Sequence, residues 1–417
     1  MTADLPRDLR DAPWLKHGPL PRLLEVLDAG GEEARVVGGA VRNALLGESA
    51  TEIDIATTAV PQVVVRRAEQ AGFKTAPTGV EHGTVTVIVD GTPFEVTTLR
   101  EDVETYGRKA RVRFGRDWDA DARRRDFTIN ALSATRDGSV HDPVGGLPDV
   151  AARRVRFIGD ARQRIREDFL RILRFFRFHA AYASGAPDAE GLAAAVAMRD
   201  GLVLLSRERV RAELMKLLVA RGAAPTLETM ADTGLLTQLL AGVAVVPQLA
   251  RLVAIETALG LAPDPLRRLG ALAVHVAEDG ERLWVRLRLS NAEHERLVTM
   301  PQRWREVAAD LGERAARALL YRLGPERFTD RVLFAWTRSE AEPKDAAWRR
   351  FLEAPQRWNA PRFPLGGADL IARGLEPGPA LGRALARAET EWIAADFPAD
   401  AKALAAIADR AARDPAE

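Results

Sequence analysis

Two hydrophobic patterns divide this chain. Between about residues 34 and 142, short β-rich runs alternate with helical stretches. The runs predict strands at Ala34–Val37, Ile53–Ala56, Thr84–Asp90 and Thr92–Leu99, with helices over Ala40–Leu46 and Pro61–Ala71, the second opening on proline. Asp90-Gly91 sits between the last two strands and predicts a tight hairpin. After about residue 160 the pattern is helical only, rich in Ala, Leu and Arg and broken at Gly222, Gly234, Pro263, Pro265, Gly312, Gly324 and Pro355. Arg207–Val219 and Glu313–Arg322 carry clear helical periodicity, and Pro343–Pro364, rich in Trp, Arg and Pro, is expected to be a linker. The fold class expected is α+β: an α/β head followed by a long all-α arm.

At 417 residues the chain has room for two to four domains. Its 47% apolar and 29% charged content is globular. No apolar run is long enough to span a membrane, and the first residues lack the apolar core of a secretory signal. The absence of cysteine excludes disulfides, cysteine nucleophiles and Cys-ligated zinc. A cytoplasmic protein with no membrane association and no obligate protein partner is expected. The net charge of +1 conceals a bias: six lysines stand against 54 arginines. Codon bias accounts for the total, but local Arg clusters still matter, since a guanidinium forks onto phosphates and base edges.

The chemistry starts where Val36-Val37 runs into Gly38-Gly39 and then a helix bearing Arg42. Glycines admit close backbone approach, a helix N-terminus offers free N–H groups, and Arg42 adds a charged fork. Alone, the pair also fits an ordinary structural turn. It is neither a Walker A loop nor a G-x-G-x-x-G fingerprint. Next, Glu52 and Asp54 lie two apart on an expected strand, so both carboxylates share one face while Ile53 and Ile55 face a core. Phe94–Arg100 adds a third acid, Glu95, on a neighbouring strand. An exposed acidic strand face explains a lone pair of acids; three on adjacent strands suit Mg²⁺ and phosphoryl transfer.

Gly-Gly-Ala-Val-Arg followed by Glu-Ile-Asp-Ile-Ala-Thr resembles the head of the class II tRNA nucleotidyltransferases (CCA-adding enzymes) and bacterial poly(A) polymerases, of the polymerase-β-like nucleotidyltransferase superfamily. The family's usual Asp-x-Asp is Glu52-Ile53-Asp54 here, one methylene longer at the first acid, and Asn43 stands where the family often has Asp. Four further blocks extend the likeness in order. Arg123-Arg124-Arg125-Asp126-Phe127-Thr128-Ile129-Asn130-Ala131 is similar to a family motif residue for residue, which implies a triphosphate pocket lined by the three arginines, Arg125 among them, and a ribose contact at Asp126; a solvated basic turn is the alternative. Asp142–Val150 resembles the connection from head to neck. Arg164–Phe178 resembles the Glu-Asp-x-x-Arg-x-x-Arg-x-x-Arg helix, with Ile165, Phe169, Ile172, Leu173 and Phe176 as its buried stripe. Leu205–Leu214 resembles a neck brace, with Ser206 as N-cap and Arg209 and Glu213 on the helix.

From the Arg164–Phe178 likeness it follows that Asp168 and Arg171 read the Watson–Crick edge of the incoming base, while Arg174 and Arg177 reach phosphates; a plain i, i+3 ion pair between Asp168 and Arg171 is the alternative. Nine arginines against three acids in residues 151–178 favour an anionic ligand. The resemblance covers roughly residues 34–220 and implies a polymerase-β-like nucleotidyltransferase head followed by an all-α neck, body and tail. The expected division is a lead segment at 1–30, the head at 31–150, the neck at 151–225, and body and tail at 226–417.

The implied activity is template-independent addition of C, C and A to tRNA 3′ ends from CTP and ATP, with Glu52, Asp54 and Glu95 catalytic, Glu52 and Asp54 holding Mg²⁺, and Gly38, Gly39, Arg42, Arg125, Asp126, Asp168, Arg171, Arg174 and Arg177 binding the nucleotide. The charged, flexible stretch 97–118 is expected to help switch between C and A. A poly(A) polymerase or A-only enzyme is the alternative within the class, disfavoured by a C-terminus that is not basic. An RNA-binding protein with a degenerate head is the alternative outside it, with Glu52 as its main support. Ala271–Val276 lacks the His-Asp pair of a metal phosphohydrolase, so no added hydrolase is expected.

Overall fold

In a computed structural model the described residues are 5, 8–50, 52–76, 79, 83–106 and 109–413, with the side chains of 101–113 outside that description. The chain forms two compact units, Met1–Leu239 and Leu240–Glu417.

The first unit is built on a seven-stranded sheet. Its strands are β1 (Ala34–Val37), β2 (Asp54–Thr57), β3 (Lys74–Ala76), β4 (Thr84–Val89), β5 (Thr92–Thr98), β8 (Ser133–Ala134) and β9 (Val140–His141), in the order β3-β4-β5-β2-β1-β8-β9. β2 and β5 are parallel and the other neighbours antiparallel. The register places Val36, Ile55, Val96 and Val85 side by side, all essentially free of solvent. Strand alternation therefore sends the other set, Val37, Asp54, Glu95 and Thr86, to the opposite face. The apolar face is covered by helices Leu20–Leu27 and Pro61–Gln70. Leu20, Leu23, Leu24 and Leu27 repeat at helical spacing and are fully buried, so the expected lead segment contributes to this core.

Asp90 and Gly91 both take positive φ, 50° and 81°, and close the β4–β5 hairpin as the sequence predicts. Residues Arg100–Tyr106 (β6) and Lys109–Phe114 (β7) form a separate two-stranded antiparallel ribbon. The stretch 97–118 expected to help switch between C and A contains this ribbon, and the side chains of 101–113, which carry most of its charges, lie outside the described residues. Of the residues 411–417 on which the argument from a non-basic terminus rests, 414–417 lie outside the described residues.

The expected single helix over 164–178 is two helices, Ala161–Glu167 and Leu170–Tyr182. Asp168 takes an extended conformation (φ −159°, ψ 109°), and its carboxylate accepts from the Leu170 N–H at 3.1 Å. A short acidic side chain that caps the following turn competes with the helix it would otherwise sit in. Phe169 thereby leaves the buried stripe and is only half-buried, whereas Ile165, Ile172, Leu173 and Phe176 stay in the core. Phe127, Phe157, Phe175 and Phe178 form an aromatic cluster that joins the Arg-Asp-Phe turn to the second helix, with centroids 4.9–6.3 Å apart. Helix Arg207–Leu218 packs along Leu170–Tyr182; Ser206 occupies its N-cap position without a side-chain cap bond.

The second unit is helical. Its longest helix, Gly312–Trp336, is interrupted where Gly324 (φ 73°) precedes Pro325. The expected linker at 343–364 is corrected: it contains helices Ala346–Leu352 and Ala354–Arg357, and Trp348 and Phe351 stack on Trp336 and Phe328 in the core. Trp348 and Phe351 are buried packing groups, and Trp358 and Phe363 are half-buried. Among the described residues, no helix is long and apolar enough to cross a membrane.

Candidate active site

Asp54 opens β2, and its partner in the parallel register is Glu95 of β5, so the two carboxylates stand side by side on the exposed sheet face. Glu52 is not on the strand, as the sequence pattern suggests, but in the bend before it. The reason lies in both neighbours. β1 ends at Val37, opposite Asp54, because Gly38 turns away, and one position further along β5 from Phe94 stands Pro93, which has no N–H to share. The pKa of Asp54 is raised, first by burial of its carboxyl among neighbouring atoms, then by the charges of Glu95 and Glu52; Arg125 works in the opposite direction. Among the described residues no group of three or more His, Asp or Glu side chains is gathered tightly enough to hold a metal ion. The pair Asp54–Glu95 nevertheless suits a hard divalent cation: both ligands are carboxylates on rigid strands, and their repulsion is what such a cation relieves.

Beside the carboxylates, Gly38 adopts φ 68°, ψ −116° at the start of helix Gly39–Leu45. A side chain there would be strained, and its Cβ would lie 3.3 Å from Arg125 Nη1. Arg125 donates to the Asn130 carbonyl at 3.3 Å and pairs with Asp121 at 3.2 Å. Arg124 shares the same buried Asp121, while Arg123 pairs with exposed Asp119 at 3.1 Å. The three arginines thus diverge, and Arg125 is the one aimed at the glycine turn. Arg42 is buried, donates to Asn130 Oδ1 at 2.5 Å and to Asn43 at 3.0 Å, and lies 3.7 Å over the Tyr182 ring. Burial lowers its pKa, and its place is behind the turn, bracing it. Gly38→Ala is expected to cut activity at least tenfold and to cost about 1–3 kcal/mol of backbone strain; initial rates and urea unfolding would check it.

The helical side of the site is a series of ion pairs. Asp126, buried, accepts from Asn130 Nδ2 at 3.1 Å and from Arg174 at 2.6 Å. Arg177 donates to Glu213 at 2.5 Å, and Arg174 lies 3.9 Å from the same carboxylate. Asp168 pairs with Arg209 at 2.6 Å, and Arg171 pairs with Glu167 while donating to the Arg164 carbonyl at 2.8 Å. The simple Asp168–Arg171 pair offered as an alternative reading is therefore not formed. The structure brings Gly38, Arg42, Arg125, Asp126 and Arg174 together, places Asp168 in a pair with Arg209, and places Arg171 in a separate group with Glu167 and Arg164. Sequence reasoning missed Asp121 and Asn130 as partners. Asn130 was visible inside the Arg-Arg-Asp-Phe block, but its contacts with Arg42 required the fold.

Residues 34–156 match the family model of the poly A polymerase head domain, and residues 187–250 that of a probable RNA and SrmB-binding site of polymerase A. Together with the mixed sheet and its carboxylates, this defines a nucleotidyltransferase of the poly(A) polymerase type. Curated relatives narrow the class. The chain is 34% identical over 379 residues to the mitochondrial CCA tRNA nucleotidyltransferase 1 of Danio rerio, covering 89% of this chain and 85% of that protein. It is 32% identical over 407 residues to the CCA-adding enzyme of Lacticaseibacillus paracasei, covering 94% and 96%. Among solved structures, the Bacillus stearothermophilus CCA-adding enzyme in complex with CTP superposes with a TM-score of 0.73 at 26% identity, covering 94% of this chain and 96% of that one. The chain belongs to the class II CCA-adding enzymes, the CCA tRNA nucleotidyltransferase family.

Proposed function

We propose that this chain adds C, C and A to tRNA 3′ ends, taking CTP and ATP as substrates and releasing pyrophosphate. The observation that carries the reading is the in-register pair Asp54–Glu95 beside the glycine turn and Arg125. In this reading residues 31–150 serve as head, 151–225 as neck and 226–417 as RNA-binding body and tail. Asp54 and Glu95, with Glu52 from the adjoining bend, would hold Mg²⁺. When bound, Mg²⁺ supplies charge neutralisation at the phosphate oxygens on both sides of the displacement. The Gly38–Gly39 backbone admits the triphosphate closely, and Arg125 donates to it from the side where a Cβ would intrude. Arg42 and Asn130 hold that turn, and Asp126 with Arg174 ties it to the neck. Arg177 lends positive charge to the same side.

Asp168 and Arg171 read the base. C and A each present an exocyclic amino donor and a ring-nitrogen acceptor; a carboxylate accepts from the first and a guanidinium donates to the second. G and U present the reverse polarity, leaving polar groups unpaired. The Arg209 bond uses Asp168 Oδ2, and the contacts described for Arg171 run through Nη1, which leaves acceptor and donor capacity on both.

The test is incorporation into tRNA transcripts lacking CCA, or ending in C or CC, with Mg²⁺ and each NTP alone or together. Two C residues and no more from CTP, then one A from ATP, is the expected result. Runs of A on any RNA without use of CTP would mean poly(A) synthesis, and A only on the CC end an A-adding enzyme. RNA binding with no pyrophosphate release would mean a degenerate head. Arg171→Ala is expected to raise use of UTP and GTP relative to CTP at least tenfold, measured as single-nucleotide initial rates; unchanged selectivity would remove the base-reading role.

A further inference from the structure

The segment that precedes helix Arg207–Leu218 is a 3-10 turn, Arg199–Leu204, and it meets the base-reading pair from behind. At its centre Gly201 lies flat against the Phe169 ring. A Cβ built on Gly201 would fall inside contact distance of three ring atoms, Cδ1, Cε1 and Cγ, so the ring is seated where only glycine leaves room. Phe169 is the residue between the two helices: Asp168 precedes it in extended conformation, and Phe169 itself (φ −60°, ψ −17°) starts the helix that carries Arg171. Its carbonyl accepts from the Ile172 N–H at 3.1 Å, and the Asp168 carbonyl accepts from the Arg171 N–H at 3.0 Å. The ring's seat therefore fixes the pivot on which both Asp168 and Arg171 turn. The same stretch of chain makes a second hold eight residues later, where Arg209 Nη2 donates to Asp168 Oδ2 at 2.6 Å.

We infer that Gly201 is a positioning residue for nucleotide selection: with Arg209 it forms a clamp that holds the Asp168–Phe169–Arg171 pivot in the geometry that favours C and A over U and G. The inference rests on the base-reading role given above to Asp168 and Arg171. Its physical basis is the directionality of two hydrogen bonds. The Arg209 pair restrains Asp168 alone; the Arg171 guanidinium is held by Glu167 and the Arg164 carbonyl, and where its backbone carries it depends on the ring seat. A shift of about 1 Å at such a pivot is enough to change a rate a hundredfold, and it weakens discrimination because a misaligned donor and acceptor no longer penalise the reversed polarity.

The experiment compares Gly201→Ala, which pushes the ring off its seat, and Phe169→Ala, which empties the same contact without adding an atom there. Single-nucleotide incorporation with CTP, ATP, UTP and GTP is measured on a transcript lacking CCA and on one ending in CC, with melting temperature alongside and Arg171→Ala as control. Both variants are expected to raise the UTP-to-CTP ratio of kcat/KM by about tenfold. A merely structural role would lower all four rates in parallel with the melting temperature and leave the ratio unchanged; that result in a folded Phe169→Ala protein overturns the inference even if Gly201→Ala fails to fold. If Arg171→Ala also leaves selectivity intact, the base-reading assignment itself fails. If Arg171→Ala relaxes selectivity and the two clamp variants do not, only the clamp is wrong.

Discussion

Asp54→Asn is expected to abolish nucleotide incorporation in a protein that is fully folded and, in chelator-treated neutral buffer, melts slightly higher than the parent. The carboxamide keeps the shape of the side chain at the start of β2 and removes the charge that a divalent cation requires at that place. The stability half follows from the raised pKa of Asp54, caused first by burial and then by Glu95 and Glu52. An acid whose pKa is higher in the fold than in the unfolded chain keeps its proton to higher pH in the native state. The stabilisation from that proton is fully present below the unfolded pKa and is lost as pH rises through the folded one, so at neutral pH the ionised group burdens the fold. Asparagine removes the burden. The gain is small because the burial of the Asp54 carboxyl is partial and much of the residue still meets solvent. Single-turnover incorporation and calorimetry with chelator test both halves; normal incorporation by the variant would overturn the assignment of Asp54 to the metal.

What the sequence made legible was local. The alternation in Val36-Val37 and in the stretch ending at Thr57, and the Asp90-Gly91 turn, are period-two and turn signals, and the strands lie within a residue or so of where these put them. That Asp54 and Glu95 share a face also follows from alternation, once β2 and β5 are neighbours. Their parallel pairing, with strand order β5-β2-β1, is tertiary and has no local signature. Glu52 looked like a strand residue because Glu-Ile-Asp-Ile alternates. It is excluded by Gly38 on one side and Pro93 on the other, both distant in sequence.

The helix break at Asp168 arose in the same way from two competing local rules. The apolar spacing of Ile165, Phe169, Ile172 and Phe176 read as one helix, and the capping capacity of an aspartate won. Leu20–Leu27 carried a plain helical stripe that composition-level reading passed over as a lead segment. The partners of the predicted arginines were the least legible. Arg42–Asn130 spans 88 residues, Arg174–Asp126 spans 48 and Arg177–Glu213 spans 36, so charge pattern alone could name the cations but not what holds them.

The second large effect concerns that long-range wiring. Arg42, Asn130, Asp126 and Arg174 form an unbroken chain of hydrogen bonds from the glycine turn to helix Leu170–Tyr182, and Asp126 is its only acid. Asp126 is buried, while Arg174 keeps about a third of its side chain exposed (32%). Removing one partner of a buried pair typically costs about 3–5 kcal/mol because the other charge is stranded. Water can reach Arg174 here, so Asp126→Ala is expected to lose about 2–3 kcal/mol of unfolding free energy in urea, at or just below the lower end of that range. The effect on incorporation should exceed what stability explains. Without Asp126, Asn130 loses the acceptor for its amide and is free to turn, Arg42 loses its fixed acceptor, and the Gly38 turn and helix Leu170–Tyr182 are no longer held to one another. A fall of about a hundredfold in kcat/KM for CTP, measured where the variant is still folded, is the expected size for a misplacement of about 1 Å between reacting groups. Asp126→Asn keeps an acceptor for Arg174 and the side-chain shape but turns an NH2 donor onto the Asn130 amide and the Phe127 N–H, so it should recover only part of the stability and part of the rate. If Asp126→Ala instead loses stability and rate no more than Asp126→Asn, the network is packing alone, and the registration of turn against neck must come from the aromatic cluster of Phe127, Phe157, Phe175 and Phe178.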